Sequence, residues 1–154
     1  VSDAARVAQV AGVFRTRGAS ALVYRGDDGI DKLTTTGHSH VWEVSKGNIL
    51  EHDINSMELG LAKARPEDLL GEGPEHNAQL AHSVLHGEPG PVRDIVVLNA
   101  AAGLVAFALA EDPHQVERKL SERLMEKIKL AQSAVDQGLA LAKLNEWVSA
   151  TQSG

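Results

Sequence analysis

A short acidic segment, Arg25–Lys32, carries the residue types best suited to chemistry. Asp27, Asp28 and Asp31 lie there within five positions, directly after an apolar run at residues 21–24 that is typical of a buried strand. Ligands of open α/β sheets bind at the carboxyl ends of strands. Mg²⁺ takes one or two carboxylates together with phosphate oxygens and water. The spacing therefore fits a Mg²⁺ site, and it also fits a solvated Asp-Gly turn.

Three threonines, Thr34–Thr36, follow the acidic segment. Their hydroxyls offer contacts to a phosphate group, but β-branched residues are also good strand formers. We expect strand structure at these positions, with phosphate contact as the alternative.

Two histidine pairs have spacings that occur in metal sites. His38 and His40 face the same side of a predicted strand, and His82 and His86 are one helical turn apart. No third zinc ligand stands near the first pair, and the glutamate of a metalloprotease motif is missing after His82. We therefore expect a half-exposed strand face for the first pair and a solvated helix face for the second.

Asn99 is a polar residue inside an otherwise apolar predicted helix. A buried amide without a hydrogen-bond partner costs about 1–3 kcal/mol. Most buried amides are satisfied by backbone groups. We expect Asn99 to tie its helix to the backbone of a neighbouring loop, with substrate contact as the alternative.

Composition excludes several classes of function. The chain has 154 residues, of which 43% are hydrophobic and 3% aromatic, and it has no cysteine. These values exclude a disulfide scaffold, a cysteine-based zinc site or nucleophile, and an aromatic platform for single-stranded nucleic acid. The net charge of -6 repels phosphate backbones, so we expect no nucleic-acid partner. No basic and apolar leader opens the chain, and we expect a cytoplasmic protein.

The elements that position these residues follow from the hydrophobic pattern. Short apolar or alternating runs predict three strands, the last two joined by a turn at Lys46–Asn48. Helical spacing predicts five helices, with Asp112 capping the fourth and Gly138 separating it from the fifth. The predicted strands are 21–24, 40–44 and 49–53, and the predicted helices are 3–17, 74–86, 92–109, 112–137 and 139–148.

This set of elements is rich in helices and short of strands for an α/β domain. The chain opens on a helix where such domains usually open on a strand, and the helix at residues 92–109 is apolar nearly all round. Its apolar run is shorter than the roughly 20 residues of a membrane span, so we expect a core helix and no membrane partner. We infer an α/β fold with an incomplete sheet, whose first half lies on sequence outside these residues.

A series of segments, in order, resembles the anthranilate phosphoribosyltransferase family. The resemblance covers essentially the whole chain, and it matches only the C-terminal part of that family. It rests on the order and spacing of Gly26–Asp31, Thr34–Thr36, Val41–Val44, Leu59–Leu61, Glu75–Ala78, and Val92–Asp94 running into Leu98–Ala101.

The resemblance implies the fold and the domain organisation. Residues 1–154 would be the helix-rich C-terminal portion of the large α/β catalytic domain, in a nucleoside-phosphorylase/phosphoribosyltransferase-like fold, with no second domain. The family's helical N-terminal domain, through which it forms homodimers, its phosphate loop and its anthranilate-binding arginine are absent from these residues. We therefore expect the 154 residues alone to be inactive and not to form the family's dimer.

The resemblance also implies a site. In the family an Asp-Glu pair binds Mg²⁺ on the pyrophosphate of phosphoribosyl pyrophosphate, and this pair falls on Asp31 and Lys32. A protonated lysine cannot bind a metal ion. Either Asp31 binds Mg²⁺ with help from Asp27 or Asp28, or Lys32 contacts the pyrophosphate directly and replaces part of the charge of the metal.

The implied reaction is transfer of the phosphoribosyl group to the amine of anthranilate, a step of tryptophan biosynthesis. Charge builds on the leaving pyrophosphate, which Mg²⁺ stabilises. A non-catalytic homologue of the same fold, acting as a nucleic-acid-binding or regulatory module, is the alternative. A pyrimidine nucleoside phosphorylase is a third interpretation, but the match follows the loops of the transferase.

Overall fold

A three-stranded sheet and five α-helices make up the fold of residues 1–152, which the computed structural model describes. The strands are β1 (Ala21–Gly26), β2 (His38–Ser45) and β3 (Asn48–Asn55). The helices are α1 (Ala4–Thr16), α2 (Pro74–Leu85), α3 (Pro91–Glu111), α4 (Leu120–Asp136) and α5 (Leu139–Gln152). Residues between β3 and α2 form loops with two short 3₁₀ turns.

The sheet has the order β1-β2-β3, and both pairings are antiparallel. The two residues Lys46 and Gly47 turn the chain between β2 and β3, each with a positive φ. Strand β1 is therefore an outer strand with one open edge. A site was expected after β1 because ligands bind at the carboxyl ends of parallel strands. None of the three described strands is parallel to a neighbour.

The two faces of the sheet pack against different helices. One face, which includes Val23 and Val44, packs against Val7 and Ala11 of α1. The other face packs against α3 and α4 in the larger cluster, through residues such as Val41 and Ile54. Helices therefore cover the sheet from both sides, as expected for an α/β fold.

Helix α1 leads into β1 by a short connection. Asp3 caps its first turn by accepting a hydrogen bond from the Ala5 N–H at 2.9 Å. Gly18, with a φ of 67°, ends it. The chain then enters β1 at Ala21, so α1 runs back along one face of the strand that follows it.

Helix α4 begins later than the sequence predicts. Asp112 caps a separate 3₁₀ turn, Pro113–Glu117, and α4 starts at Leu120. The prediction of one continuous helix from Asp112 was wrong, because Arg118 adopts an extended conformation that breaks it. The predicted core stripe is confirmed within α4, where every third or fourth residue is buried: Leu120, Leu124, Ile128, Ala131 and Val135.

Glu43 and Arg123 form a buried ion pair that the sequence analysis missed. Arg123 Nη1 and Nη2 lie 2.6 and 2.8 Å from the two carboxylate oxygens of Glu43, and both side chains are almost fully buried. His52 lies 3.0 Å from the same carboxylate. This network joins α4 to the centre of the sheet.

Helix α3 is, within the described part of the chain, the one helix long and apolar enough to cross a membrane. It packs against β1 and α4 through six buried residues, Val97, Leu98, Ala101, Ala102, Val105 and Leu109. These contacts are those of a core helix. Only 33% of its most apolar stretch is buried, however, so much of its surface remains uncovered.

Candidate functional site

The acidic segment forms a tight loop at the end of β1. The Gly26 N–H donates to the Ile30 carbonyl at 3.1 Å, and the Gly29 N–H donates back to the Gly26 carbonyl at 2.9 Å. Gly29 has a φ of 90°, which favours glycine there. A β-carbon on Gly26 would lie 2.4 Å from Asp28 Oδ1. The local fold therefore needs glycine at both positions.

Asp28 holds this loop together from inside. Its Oδ2 accepts hydrogen bonds from the hydroxyls of Thr34 and Thr36 at 2.6 and 2.7 Å. Its Oδ1 accepts one from the Ile30 N–H at 3.2 Å. Burial raises the pKa of Asp28, but these hydrogen bonds outweigh that effect and bring the pKa below its ordinary value. Asp28 is thus an ionised carboxylate committed to the loop.

The three threonines lie in a loop and not in a strand, so the prediction of strand structure was wrong. The hydroxyls of Thr34 and Thr36 donate to Asp28, and the Thr35 carbonyl accepts a hydrogen bond from the Ala64 N–H at 2.9 Å. Local hydrogen bonds of this kind compete with strand pairing. Thr34 and Thr35 are buried, which leaves their hydroxyls no exposure to a phosphate group.

Asn99 ties helix α3 to the backbone of Leu33. Its Oδ1 accepts from the Leu33 N–H at 3.0 Å, and its Nδ2 donates to the Leu33 carbonyl at 2.9 Å. A second Nδ2 bond reaches the Ile95 carbonyl at 2.9 Å. The predicted structural role of Asn99 is confirmed. The side chain of Leu33 is also fully buried, so the chain immediately after Lys32 is fixed to the core.

Asp31 and Lys32 lie at the exposed end of the loop, outside the part that Asp28 and Asn99 hold in place. Lys32 Nζ lies 2.6 Å from Asp31 Oδ1, and the two side chains are about 60% exposed. The hydrogen bond and the charge of Lys32 hold the pKa of Asp31 below its ordinary value. The carboxylate of Asp31 faces solvent and caps no helix. The exposed end of the loop thus presents an anion beside a cation.

Asp27 lies beside His40 of β2, away from the partners of Asp28 and Asp31. His40 Nε2 lies 3.3 Å from Asp27 Oδ1, and His38 Nδ1 lies 2.5 Å from Asp53 Oδ1 on β3. Asp53 raises the pKa of His38 above its ordinary value, through a hydrogen bond and through its charge. The half-exposed strand face predicted for the two histidines is confirmed. His82 and His86 lie exposed on α2 and at its end, also as predicted.

The three carboxylates of the loop therefore have three different sets of partners. Across residues 1–152, no three histidine or acidic side chains are grouped so as to hold a metal ion by themselves. The donors present fit Mg²⁺ in one way: a single ionised carboxylate, Asp31, with oxygens of a phosphorylated substrate and water completing six ligands. Lys32 Nζ supplies a positive charge at the same place. Such an arrangement can bind a phosphorylated leaving group.

Comparison with known proteins places the chain in a family. The profile of the "Glycosyl transferase family, a/b domain" matches residues 1–141. The anthranilate phosphoribosyltransferase of Clavibacter michiganensis is 61% identical over 153 residues, which are 99% of this chain and 44% of that protein. The enzyme of Thermobifida fusca is 47% identical over 94% of this chain and 40% of its own length. The chain thus spans less than half the length of these relatives.

Solved structures of anthranilate phosphoribosyltransferases also resemble this chain. Anthranilate phosphoribosyltransferase from Thermus thermophilus superposes with a TM-score of 0.79 at 34% identity, covering 97% of this chain and 41% of that one. The enzyme from Saccharomyces cerevisiae, in a structure with Mg bound, has a TM-score of 0.81 at 20% identity and shares the fold. The predicted fold class, a portion of a larger α/β fold, is confirmed. With residues 1–141 matched to its profile, the chain belongs to the a/b-domain glycosyl transferase family.

Proposed function

We propose that this chain is the C-terminal part of the α/β catalytic domain of an anthranilate phosphoribosyltransferase of tryptophan biosynthesis. The observation that carries the proposal is the 61% identity over 153 residues to a relative of that name. In the reaction, the amine of anthranilate forms a bond to ribose C1 of phosphoribosyl pyrophosphate. The bond from C1 to pyrophosphate breaks, and the amine loses a proton.

The residues of this chain have a defined part in that reaction. Asp31 would hold Mg²⁺ through one carboxylate oxygen, and Lys32 would contact the leaving pyrophosphate. Bound Mg²⁺ supplies electrostatic stabilisation of the charge that develops on the leaving group. Asn99 positions both side chains indirectly, because it fixes the backbone of Leu33. Asp28 keeps the loop closed and takes no part in the chemistry.

Two solved complexes of relatives support the finer statements. A solved yeast enzyme is described in complex with PRPP and Mg, and another with 4-fluoroanthranilate. We propose the same substrates and Mg²⁺ for the complete protein here, together with a cytoplasmic location and a homodimer. The rest of the polypeptide would supply the dimer contacts, the phosphate loop and the anthranilate contacts, so we expect these 154 residues alone to be inactive.

The test joins this chain to the part of the Clavibacter michiganensis relative that precedes the matched region. We expect the fusion to consume anthranilate only when phosphoribosyl pyrophosphate and Mg²⁺ are present. Asp31→Asn should lower kcat/KM by about 100-fold or more, as loss of a charge-stabilising group typically does. Asp27→Asn removes an equal charge from the same loop and should have a much smaller effect.

Two results would contradict the proposal. A well-folded fusion without transferase activity would favour a non-catalytic homologue. If the Asp27→Asn variant loses more activity than Asp31→Asn, then Asp31 is not the metal ligand.

A further inference from the structure

The segment Arg118–Lys129 is positively charged in a chain that is acidic overall. Five cations and two carboxylates lie in this segment, whereas the whole chain has a net charge of -6. The segment contains the first turn of α4, where the helix dipole favours anions and disfavours cations. Positive charge is therefore concentrated at a place where the helix itself does not stabilise it.

A cavity of about 260 Å³ opens between this segment and helix α3. Its lining includes two small apolar side chains of α3 and four charged side chains, three of which are cations: Val105 and Ala108, then Arg118, Arg123, Glu126 and Lys127. A water molecule occupies about 30 Å³ of liquid. The cavity therefore has room for a tetrahedral oxyanion together with water.

Arg123 has an unused donor edge at this cavity. Its Nη1 and Nη2 atoms bind the two carboxylate oxygens of Glu43, and its side chain is only 3% exposed. Its Nε is buried and has no hydrogen-bond partner among residues 1–152. A guanidinium group carries five N–H donors in one plane, so the edge formed by the Nε–H and the neighbouring outer Nη N–H is left over. Arg123 lines the cavity and Glu43 does not, which makes this edge the one available to a ligand there.

The other two cations of the cavity differ in what they already bind. Both Nη atoms of Arg118 contact the carboxylate of Glu126, in a pair that is about half exposed. Lys127 is half-buried, and within residues 1–152 its ammonium group makes no hydrogen bond or salt bridge. The two carboxylates that contact these side chains thus balance the two arginines. The charge of Lys127 remains uncompensated beside the unused edge of Arg123.

We propose that this cavity binds a small tetrahedral oxyanion, namely a phosphate group. The free edge of Arg123 would donate to it from the buried side, and Lys127 Nζ would supply a full positive charge. Guanidinium groups bind such anions through two parallel N–H donors. Because the Nε atom is buried, we expect the more exposed Arg118 side chain to move when the anion enters. The site shares no residue with the acidic loop, so the proposal is independent of the transfer reaction.

Titration with inorganic phosphate tests the proposal on the 154-residue chain. The signal to follow is the Arg123 Nε–H in a proton–nitrogen NMR spectrum, at an ionic strength held constant with sodium chloride so that salt screening does not change. We expect a saturable shift of this signal. Lys32 would also attract phosphate, but the Arg123 signal reports on this cavity alone.

A second titration with methyl phosphate identifies the source of the phosphate group. Binding of both compounds supports a site that accepts the phosphate group of a larger molecule. Binding of inorganic phosphate alone supports a site for the free ion. If neither compound shifts the Arg123 Nε–H signal saturably, the proposal is overturned.

Three variants test the charges of the cavity. Lys127→Met should weaken phosphate binding by about tenfold, because it removes the uncompensated cation. Lys129→Met is the matched control, since it removes the same charge from an exposed position of α4 outside the cavity, and it should leave the affinity nearly unchanged. Glu126→Gln removes a carboxylate from the lining and should strengthen binding. The backbone amide spectrum of each variant checks that the fold is intact.

An equal loss of affinity in Lys127→Met and Lys129→Met would overturn the proposal, because the anion would then respond only to the general charge of α4. None of these readouts needs catalysis. A saturable Arg123 shift together with an inactive, well-folded fusion would contradict the proposed function alone. An active fusion together with no Arg123 shift would contradict this inference alone.

Discussion

The ion pair between Asp31 and Lys32 lies at the exposed end of a loop whose base is fixed. Exposed ion pairs contribute little to stability, because water solvates both charges well. A divalent cation that bound Asp31 would therefore displace Lys32 at small cost, and the freed ammonium group would remain close enough to meet a phosphate oxygen of the proposed substrate. The pair keeps the carboxylate ionised without burying it.

In the fusion protein, Lys32→Glu should make the transferase activity depend more strongly on Mg²⁺. The substitution changes two units of charge next to Asp31. We expect the Mg²⁺ concentration for half-maximal activity to fall by about tenfold. Lys63→Glu makes the same charge change at an exposed residue outside the loop, and it should leave the Mg²⁺ titration unchanged. Identical titrations for all three proteins would mean that the loop is only an acidic turn.

Asn99→Ala should release the loop from α3. The variant leaves the Leu33 backbone without its two hydrogen bonds to the Asn99 side chain, and we expect a loss of about 1–3 kcal/mol in the free energy of unfolding. Urea denaturation measures this loss, and hydrogen exchange of the Leu33 amide should become faster. Asn145→Ala, on the exposed surface of α5, is the control. A protected Leu33 amide in Asn99→Ala would contradict the role of this side chain.

At the level of elements, the features that can be predicted from the sequence are those that depend on hydrophobic periodicity or on glycine and proline. The three strands, the hairpin turn and the stripe of α4 all follow from such patterns. The threonine segment and the start of α4 do not, because side-chain bonds to Asp28 and an extended Arg118 override local propensity. The Glu43–Arg123 pair joins residues 80 positions apart, and no local pattern reports such a contact.

Some features of the candidate site can likewise be predicted from the sequence, and others cannot. Asp31 as a candidate ligand follows from the acidic pattern and from the resemblance, and the clamp of Asn99 follows from the cost of a buried amide. The separate partners of Asp27 and Asp28 depend on where β2 and β3 bring their side chains, which a single sequence does not specify.

Gly26→Ala should distort the end of β1. The new methyl group would lie 2.4 Å from Asp28 Oδ1 and 3.1 Å from Thr34 Cβ, so the loop must open to accommodate it. We expect destabilisation of about 1–3 kcal/mol, measured by urea unfolding. Gly12→Ala in α1 meets no atom within 4 Å and should stabilise the protein slightly. Equal stability of the two variants would show that the loop tolerates a β-carbon.

At the scale of the whole molecule, the Glu43–Arg123 pair connects the sheet to α4. Arg123→Met leaves a buried carboxylate without its cation, and we expect a loss of about 3–5 kcal/mol. Adding Glu43→Leu should recover much of this loss, because no uncompensated charge then remains. Urea unfolding of the single and double variants measures the coupling. A double variant as unstable as Arg123→Met would contradict this account.

The effect of pH on this pair has a definite sign. Burial raises the pKa of Glu43, but bonds from His52 and Arg123 outweigh it, so the pKa is lowered overall. The stability that Glu43 contributes is present above its unfolded pKa and is lost as the pH falls through the folded one. In Arg123→Met, burial dominates and raises the pKa. The stability difference between the two proteins should therefore shrink toward low pH, and a constant difference would contradict this assignment.

The clamp between Asn99 and Leu33 joins residues 66 positions apart. On the ribosome, the loop that bears Asp31 therefore emerges long before the amide that fixes it. Until α3 has been made and has docked, the loop lacks its main tether, and the Leu33 side chain lacks the core that buries it. The loop is thus fixed to the core only after residue 99 has been made, and a chain that stops before residue 99 cannot form this tether.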